Sequence, residues 1–283
     1  MPQPQANIRA IETTPSRFEL DAILYGPIRP SRELDRMTQR ALKGARGDEE
    51  FFTEITLRDT RRSGLMGVEF SVTASSPDGA QRAGIVYLGQ LCDVLSSITR
   101  QPVRFLMPGE DSREERMRGD RVSTHIDRML TLEEWNWVIG TLVFLRQNHP
   151  RYLAAASWYR KGLCGIDPLE VACCYWRVIE RLSLSYCDKG KLPTDGEGKP
   201  VCSAKNCVRQ FVVERGLDAV SDGLLADEKR LKKIVELRND VSHGNEPITP
   251  VLIEDASHLI RPLEEAAFSC LAVIRNTINQ PEG

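Results

Sequence analysis

Apolar and polar positions follow two different rhythms along the chain. Before residue 108 the apolar residues come in short runs rich in aromatic and β-branched side chains, a strand pattern. Arg17–Ile28 (RFELDAILYGPI) predicts a strand that ends at Gly-Pro. Ser31–Leu42 predicts a short helix, capped by Ser31 and stopped near Gly44. Glu50–Leu57 and Met66–Ala74 predict two more strands, and the Ser75–Gly79 run predicts a turn. Ala80–Thr99 then carries Ile85, Leu88, Leu91, Cys92 and Leu95 at a helical period, and Pro102–Met107 is a candidate last strand. Residues 1–107 thus read as a mixed α/β region with a small sheet, a scaffold or recognition domain without a catalytic motif.

Residues 108–130 are dense in both signs of charge and poor in apolar residues, as in a solvated linker or exposed helix, with His125 on its surface. From Thr131 the period becomes helical. Thr131-Leu-Glu-Glu134 is a capping box for a helix that His149-Pro150 ends near Asn148. A second helix spans about Tyr152–Leu163, broken by Gly162 and Gly165. A third starts at Asp167-Pro168, with Asp at the cap and Pro at the first helical position, and runs to about Tyr186. After a polar loop at Asp188–Pro200, further helices are predicted at Ser203–Arg215, Asp227–His243 and Ile253–Asn276. The fold class is α+β: a small sheet region, then an all-α bundle over residues 131–283.

Composition narrows the partners. A chain of 283 residues with 41% hydrophobic and 28% charged positions can bury a substantial core. A formal charge of −2 argues against a polyanion-coating protein but leaves room for a local basic patch. The most apolar window, Trp135–Leu145, is shorter than the ~18–20 residues that span a bilayer. The start, Met-Pro-Gln-Pro-Gln, lacks signal-peptide character. The expectation is a cytoplasmic protein without a membrane partner, whose eight cysteines stay reduced. Cys187, Cys202 and Cys207 bracket the polar loop and could bind zinc with a fourth ligand. They form no Cys-x-x-Cys pair and have no nearby His, which weighs against a structural site.

One constellation has the character of a site. In the third helix Leu169, Cys173, Trp176 and Leu184 form one apolar stripe; Val171, Tyr175, Val178 and Leu182 form another. A helix apolar on two faces belongs at the centre of a bundle. Glu180 lies on the first stripe, and a buried carboxylate needs a cation. Arg238, between Ile234 and Val241 on the inward edge of its helix, is the expected partner. Asn239 and His243 share a face in the final turn before Gly244. Lys229, Arg230, Lys232 and Lys233 lie on the outer side of the same helix and are candidates for phosphate binding. These residues also have a plain account: a histidine at a helix C-terminus suits the dipole, and the glycine simply stops the helix.

The stretch Trp158-Tyr159-Arg160-Lys161, Asp167, Trp176–Glu180 (WRVIE) and Leu237–Gly244 (LRNDVSHG) resembles the HEPN superfamily, specifically its Apea-like branch, over residues 131–279. Arg238, Asn239 and His243 match that superfamily's Arg-polar-spacer-His motif. The whole chain, including Gly89–Ser96 (GQLCDVLS), is also similar to the MauJ proteins encoded with bacterial methylamine-utilisation genes. The superfamily resemblance implies a helical homodimer with two motifs face to face, no cofactor, and in active members cleavage of RNA without a metal. His243 would then move the proton, Arg238 would hold the phosphate and Asn239 would orient the ribose or His243, with Glu180 in support. Many members are not nucleases. The sequence therefore leaves open a metal-independent ribonuclease or RNA-binding protein, and a non-catalytic dimerisation module assisting assembly or regulation of methylamine oxidation. A zinc-binding accessory protein is a third reading.

Overall fold

The computed structural model describes residues 16–40, 52–107, 127–243 and 247–278. Strands β1 (Ser16–Tyr25), β3 (Thr38–Arg40), β4 (Phe52–Asp59), β5 (Leu65–Ala74) and β6 (Arg104–Leu106) form one antiparallel sheet in the order β3-β4-β5-β1-β6. Its alternation is that of a sheet with one packed face: Met66, Val68, Phe70 and Val72 of β5 are buried, with Leu24 of β1 and Ile55 and Leu57 of β4. Helix α1 (Pro77–Thr99) lies against this face.

In the sheet region two stretches depart from the sequence expectation. Ser31–Leu42 does not form a helix in its described part. The Ser31 carbonyl accepts one turn of bonds, from the amides of Leu34 and Asp35 at 3.0 and 3.1 Å. Arg36 then adopts a left-handed φ of 62° and donates its N–H to the Leu57 carbonyl. The free edge of β4 thus competes with helix propagation, and the chain turns into β3 against it. Residues 41 and 42, with Gly44, lie outside the described residues. Second, the Ser75–Gly79 run starts α1 instead of forming a separate turn. The Ser76 hydroxyl accepts from the Gly79 amide at 3.1 Å and Pro77 takes the first helical position.

The charged segment is described only from residue 127, so His125 lies outside the described residues. Its last part is integrated into the fold. The Asp127 carboxylate accepts from the Gly64 amide at 3.1 Å, and β7 (Arg128–Leu130) pairs in parallel with β2 (Ile28–Pro30).

Beyond β7 the chain is helical: α2 (Leu132–Asn148), α3 (Pro150–Cys164), α4 (Pro168–Tyr186), α5 (Ala204–Arg215), α6 (Glu228–His243) and α7 (Pro250–Thr277). The capping box at Thr131 and Glu134 is present in both directions. Asp167 caps α4 through the Glu170 amide, followed by Pro168. Helix α4 is central, packed on α3, α5, α6 and α7, with Val178, Ile179 and Leu182 fully enclosed. Gly162 does not break α3. A Cβ there would sit 2.6 Å from the Tyr175 ring of α4, so the glycine is the notch through which these two helices approach.

Sheet and bundle share one buried cluster, because α1 packs on α2 and α3 as well as on the sheet. Arg100 at the C-cap of α1 binds both carboxylate oxygens of Glu264 on α7, and the Tyr159 hydroxyl of α3 donates to the same carboxylate. No helix among the described residues is long and apolar enough to cross a membrane.

Candidate functional site

Helix α6 starts at Asp227, whose carboxylate accepts from the amides of Lys229 and Arg230 at 2.8 and 2.9 Å. The Arg230 amide, helped by that of Lys229 and by both side-chain cations, holds the Asp227 carboxyl below its ordinary range. Leu231, Ile234 and Leu237 are buried against the bundle, with Val235 and Val241 at the margins. This anchoring brings Arg238 against α4.

Arg238 and Glu180 do meet. Arg238 Nη2 lies 3.5 and 3.4 Å from Glu180 Oε1 and Oε2, and Nη1 donates to Asn239 Oδ1 at 2.9 Å. The Arg238 side chain is 29% exposed and that of Glu180 17%. A strong guanidinium–carboxylate pair uses two nitrogens at about 2.7–2.9 Å. Here one nitrogen is shared between two oxygens at longer range, and Arg238 Nε is buried without a hydrogen-bond partner. The guanidinium is restrained, not fully engaged. It also lies close enough to Cys173 of α4 to oppose the upward push that burial gives that thiol, as does Arg177.

Helix α6 continues through His243, whose side chain is outside the described ones, as is Gly244. At about 100° per residue, positions 239 and 243 share a face, whereas 238 and 243 are roughly 140° apart round the axis. Lys229, Lys232 and Lys233 are exposed, and the same count puts them roughly 120–180° from Arg238 round the axis. Lys232 lies 3.5 Å from Glu236, and Arg230 instead turns back to donate to the Asp222 carbonyl at 2.9 Å. Three of the four cations proposed for phosphate thus face solvent, while Arg230 is occupied in closing the loop before α6.

The cysteine triad is arranged as two neighbours and an outlier. Cys207 and Cys187 are buried with their thiols in hydrogen-bond contact, and Cys202 is exposed. Burial, then the contact with Cys187, pushes the Cys207 thiol up to about 11. Among the described residues no group of three His, Cys, Asp or Glu side chains is placed to hold a metal ion.

One buried charged group was not picked out from the sequence as a site. Asp93 of α1 is 6% exposed and accepts from Arg160 Nε of α3 at 2.5 Å. Its signal was available, since Asp93 is the sole charged residue between Leu88 and Ile98 in a helical run. Compared with family models, with curated proteins and with solved structures, the chain matches none.

Proposed function

We propose that the chain is a HEPN-like RNA-binding protein of the cytoplasm that cleaves RNA without a metal, as a homodimer, through Arg238, Asn239 and His243. The observation that supports this most is the loosely held Arg238 guanidinium, 29% exposed at the C-terminal end of a lysine-bearing helix. A phosphate arriving there can replace the long contact to Glu180 with shorter charge-assisted bonds. In the reaction the ribose 2′-oxygen attacks the adjacent phosphorus and the 5′-oxygen leaves, giving a 2′,3′-cyclic phosphate and a free 5′-hydroxyl. The proton leaves the 2′-hydroxyl for a base and returns to the 5′-oxygen from an acid, the work of a histidine that titrates near neutrality. Arg238 offsets the charge gathering on the phosphate. Because positions 238 and 243 are roughly 140° apart on one helix, a site joining them is completed more readily by two chains about a two-fold axis, His243 of one facing Arg238 of the other.

The test is incubation of the purified chain with mixed RNA in EDTA. Cleavage leaving 2′,3′-cyclic ends is expected, with substrates carrying 2′-deoxyribose at the cut site inert. His243→Ala should abolish cutting and leave the melting temperature nearly unchanged; Arg238→Ala should abolish cutting and lower it. A parent protein that never cuts RNA would end the enzyme proposal. The Arg238–Glu180–Asn239 contacts, which already occupy part of the guanidinium, favour a second possibility: a non-catalytic dimerisation module assisting assembly or regulation of methylamine oxidation. A dimer in light scattering without RNA binding is its expected signature.

A further inference from the structure

Trp158 of α3 carries two cations on one ring. The ammonium of Lys161, one turn on in the same helix, lies 4.3 Å from the ring centre, and the guanidinium carbon of Arg177 on α4 lies 4.4 Å from it. Trp158 and Arg177 are half-buried and Lys161 is exposed. The arrangement follows from helix packing: α3 and α4 approach at Gly162, against the Tyr175 ring, and Trp158 and Lys161 share a face of α3 beside that contact. An aromatic face attracts a cation without cancelling its charge. The ring therefore holds both side chains in place and leaves two positive charges no further apart than twice the ring-to-cation distance.

Among the described residues no carboxylate makes an ion pair with Lys161 or Arg177. The nearby acids are engaged elsewhere. Asp93, within electrostatic range of Lys161, is bound to Arg160. Asp167 and Glu170 stand at the start of α4, where the helix's own amide ends meet their charge. Arg181, one turn beyond Arg177, adds a third cation without an ion pair among the described residues. The patch also adjoins the Arg238 site. At about 100° per residue, Arg177 lies roughly 60° from Glu180 round the α4 axis. Cys173 falls between them and is within electrostatic range of both Arg177 and Arg238. The lysines of α6 stand on the far side of their helix from Arg238. The cations that continue the Arg238 site across the surface are therefore those around Trp158.

Resting on the RNA-binding function proposed for Arg238, we infer that single-stranded RNA crosses this surface, with the phosphate at Arg238 followed by neighbouring phosphates on Arg177 and Lys161. Cations interleaved with an aromatic side chain suit the backbone of a single strand. Held by the ring beforehand, the two side chains lose little freedom when a phosphate arrives. Trp158 is thus a positioning residue, and the track reads the backbone without reading the bases.

The experiment is fluorescence anisotropy of the full chain with a labelled oligouridylate of about 12 nucleotides, its 2′-oxygens methylated so that it cannot be cut. Affinity is read across a salt series, where each phosphate contact to a single strand contributes about 0.7 to the slope of log affinity against log salt. Lys161→Gln together with Arg177→Gln should lower that slope by about 1.4 and weaken binding on the order of tenfold at ~0.1 M salt, with the melting temperature unchanged. Lys161→Arg together with Arg177→Lys keeps both charges and should keep the slope. A parent chain that binds no oligouridylate overturns both the track and the proposed function. If the parent binds and Arg238→Ala weakens it, an unchanged slope in the double glutamine variant overturns the track alone and leaves the Arg238 site standing. Poly-L-glutamate bound through Lys161 and Arg177, with oligouridylate affinity indifferent to their loss, would also overturn it and assign the patch to an acidic protein partner.

Discussion

Arg238 divides one N–H group between two carboxylate oxygens of Glu180, and that geometry sets what the pair contributes. A fully buried ion pair that loses one partner costs about 3–5 kcal/mol, an exposed one about 0–1. With side chains 17% and 29% exposed and contacts of 3.4 and 3.5 Å, this pair stands between those limits. Glu180→Gln should therefore cost about 1–2 kcal/mol in urea denaturation. A cost as large as that of a buried pair would make Arg238 a fixed structural group, unable to turn to a phosphate. The partnership itself could be read from the chain, since an acid on an apolar stripe demands a cation. Its looseness could not, because the stripe leaves the buried face only at its C-terminal end: Leu169, Cys173 and Trp176 are buried, whereas Glu180 and Leu184 are only partly covered. Periodicity shows which residues share a face and says nothing of how far the neighbouring helix covers its edge.

Helix starts were legible where cap chemistry and the apolar period coincided, and not at Ser76 or Thr249, whose caps precede the first periodic residues. Thr131, Asp167 and Ser203 each stand at an N-cap and accept from an amide three residues on. The cap chemistry and the apolar period agree there, so the start is fixed locally. Ser31 misled for the opposite reason: its turn has little apolar face of its own, and the exposed edge of β4 offered the backbone better partners. The α2 start also carries a pH signature. Burial pushes the Glu134 carboxyl up, but Arg128, at 3.0 and 2.5 Å, and the Thr131 amide outweigh it, and the group ends below its ordinary value of 4.5. A carboxyl with a lowered folded pKa contributes stability that is full above its unfolded pKa and lost as pH falls through the folded one. Glu134→Gln should accordingly weaken the protein near neutrality and flatten its stability curve below about pH 4.5. Thr131→Ala should cost about 1 kcal/mol and change that acid limb much less than Glu134→Gln does, because the Thr131 side chain is the least of the contacts that lower the Glu134 carboxyl. An unchanged acid limb in Glu134→Gln would show that the capping box is not what titrates.

At the scale of the whole molecule the question is whether sheet and bundle are separate folding units. The change of rhythm at residue 108 suggested a boundary, but sequence rhythm reports local periodicity, and α1 satisfies two partners at once. Its buried residues reach from Ala80 and Ala83 at one end to Leu95 and Thr99 at the other, against the sheet, α2 and α3. Its C-cap residue Arg100 is tied to Glu264, which also receives the Tyr159 hydroxyl and is 14% exposed. Burial and the Glu264 carboxylate together push the Tyr159 hydroxyl pKa upward, so this phenol stays a donor throughout the neutral range. A core shared in this way opens as one unit. Native-state hydrogen exchange should then give the same limiting free energy for the amides of Val68 and Phe70 in the sheet as for Val178 and Ile179 in α4. Glu264→Ala strands both Arg100 and Tyr159 and should lower the two limits together, by about 2–3 kcal/mol after allowance for the exposed side of Arg100. If the sheet amides instead opened at a lower free energy, with only the α4 amides responding to the substitution, α1 would belong energetically to the bundle alone, and the sheet would be an appendage that docks on it.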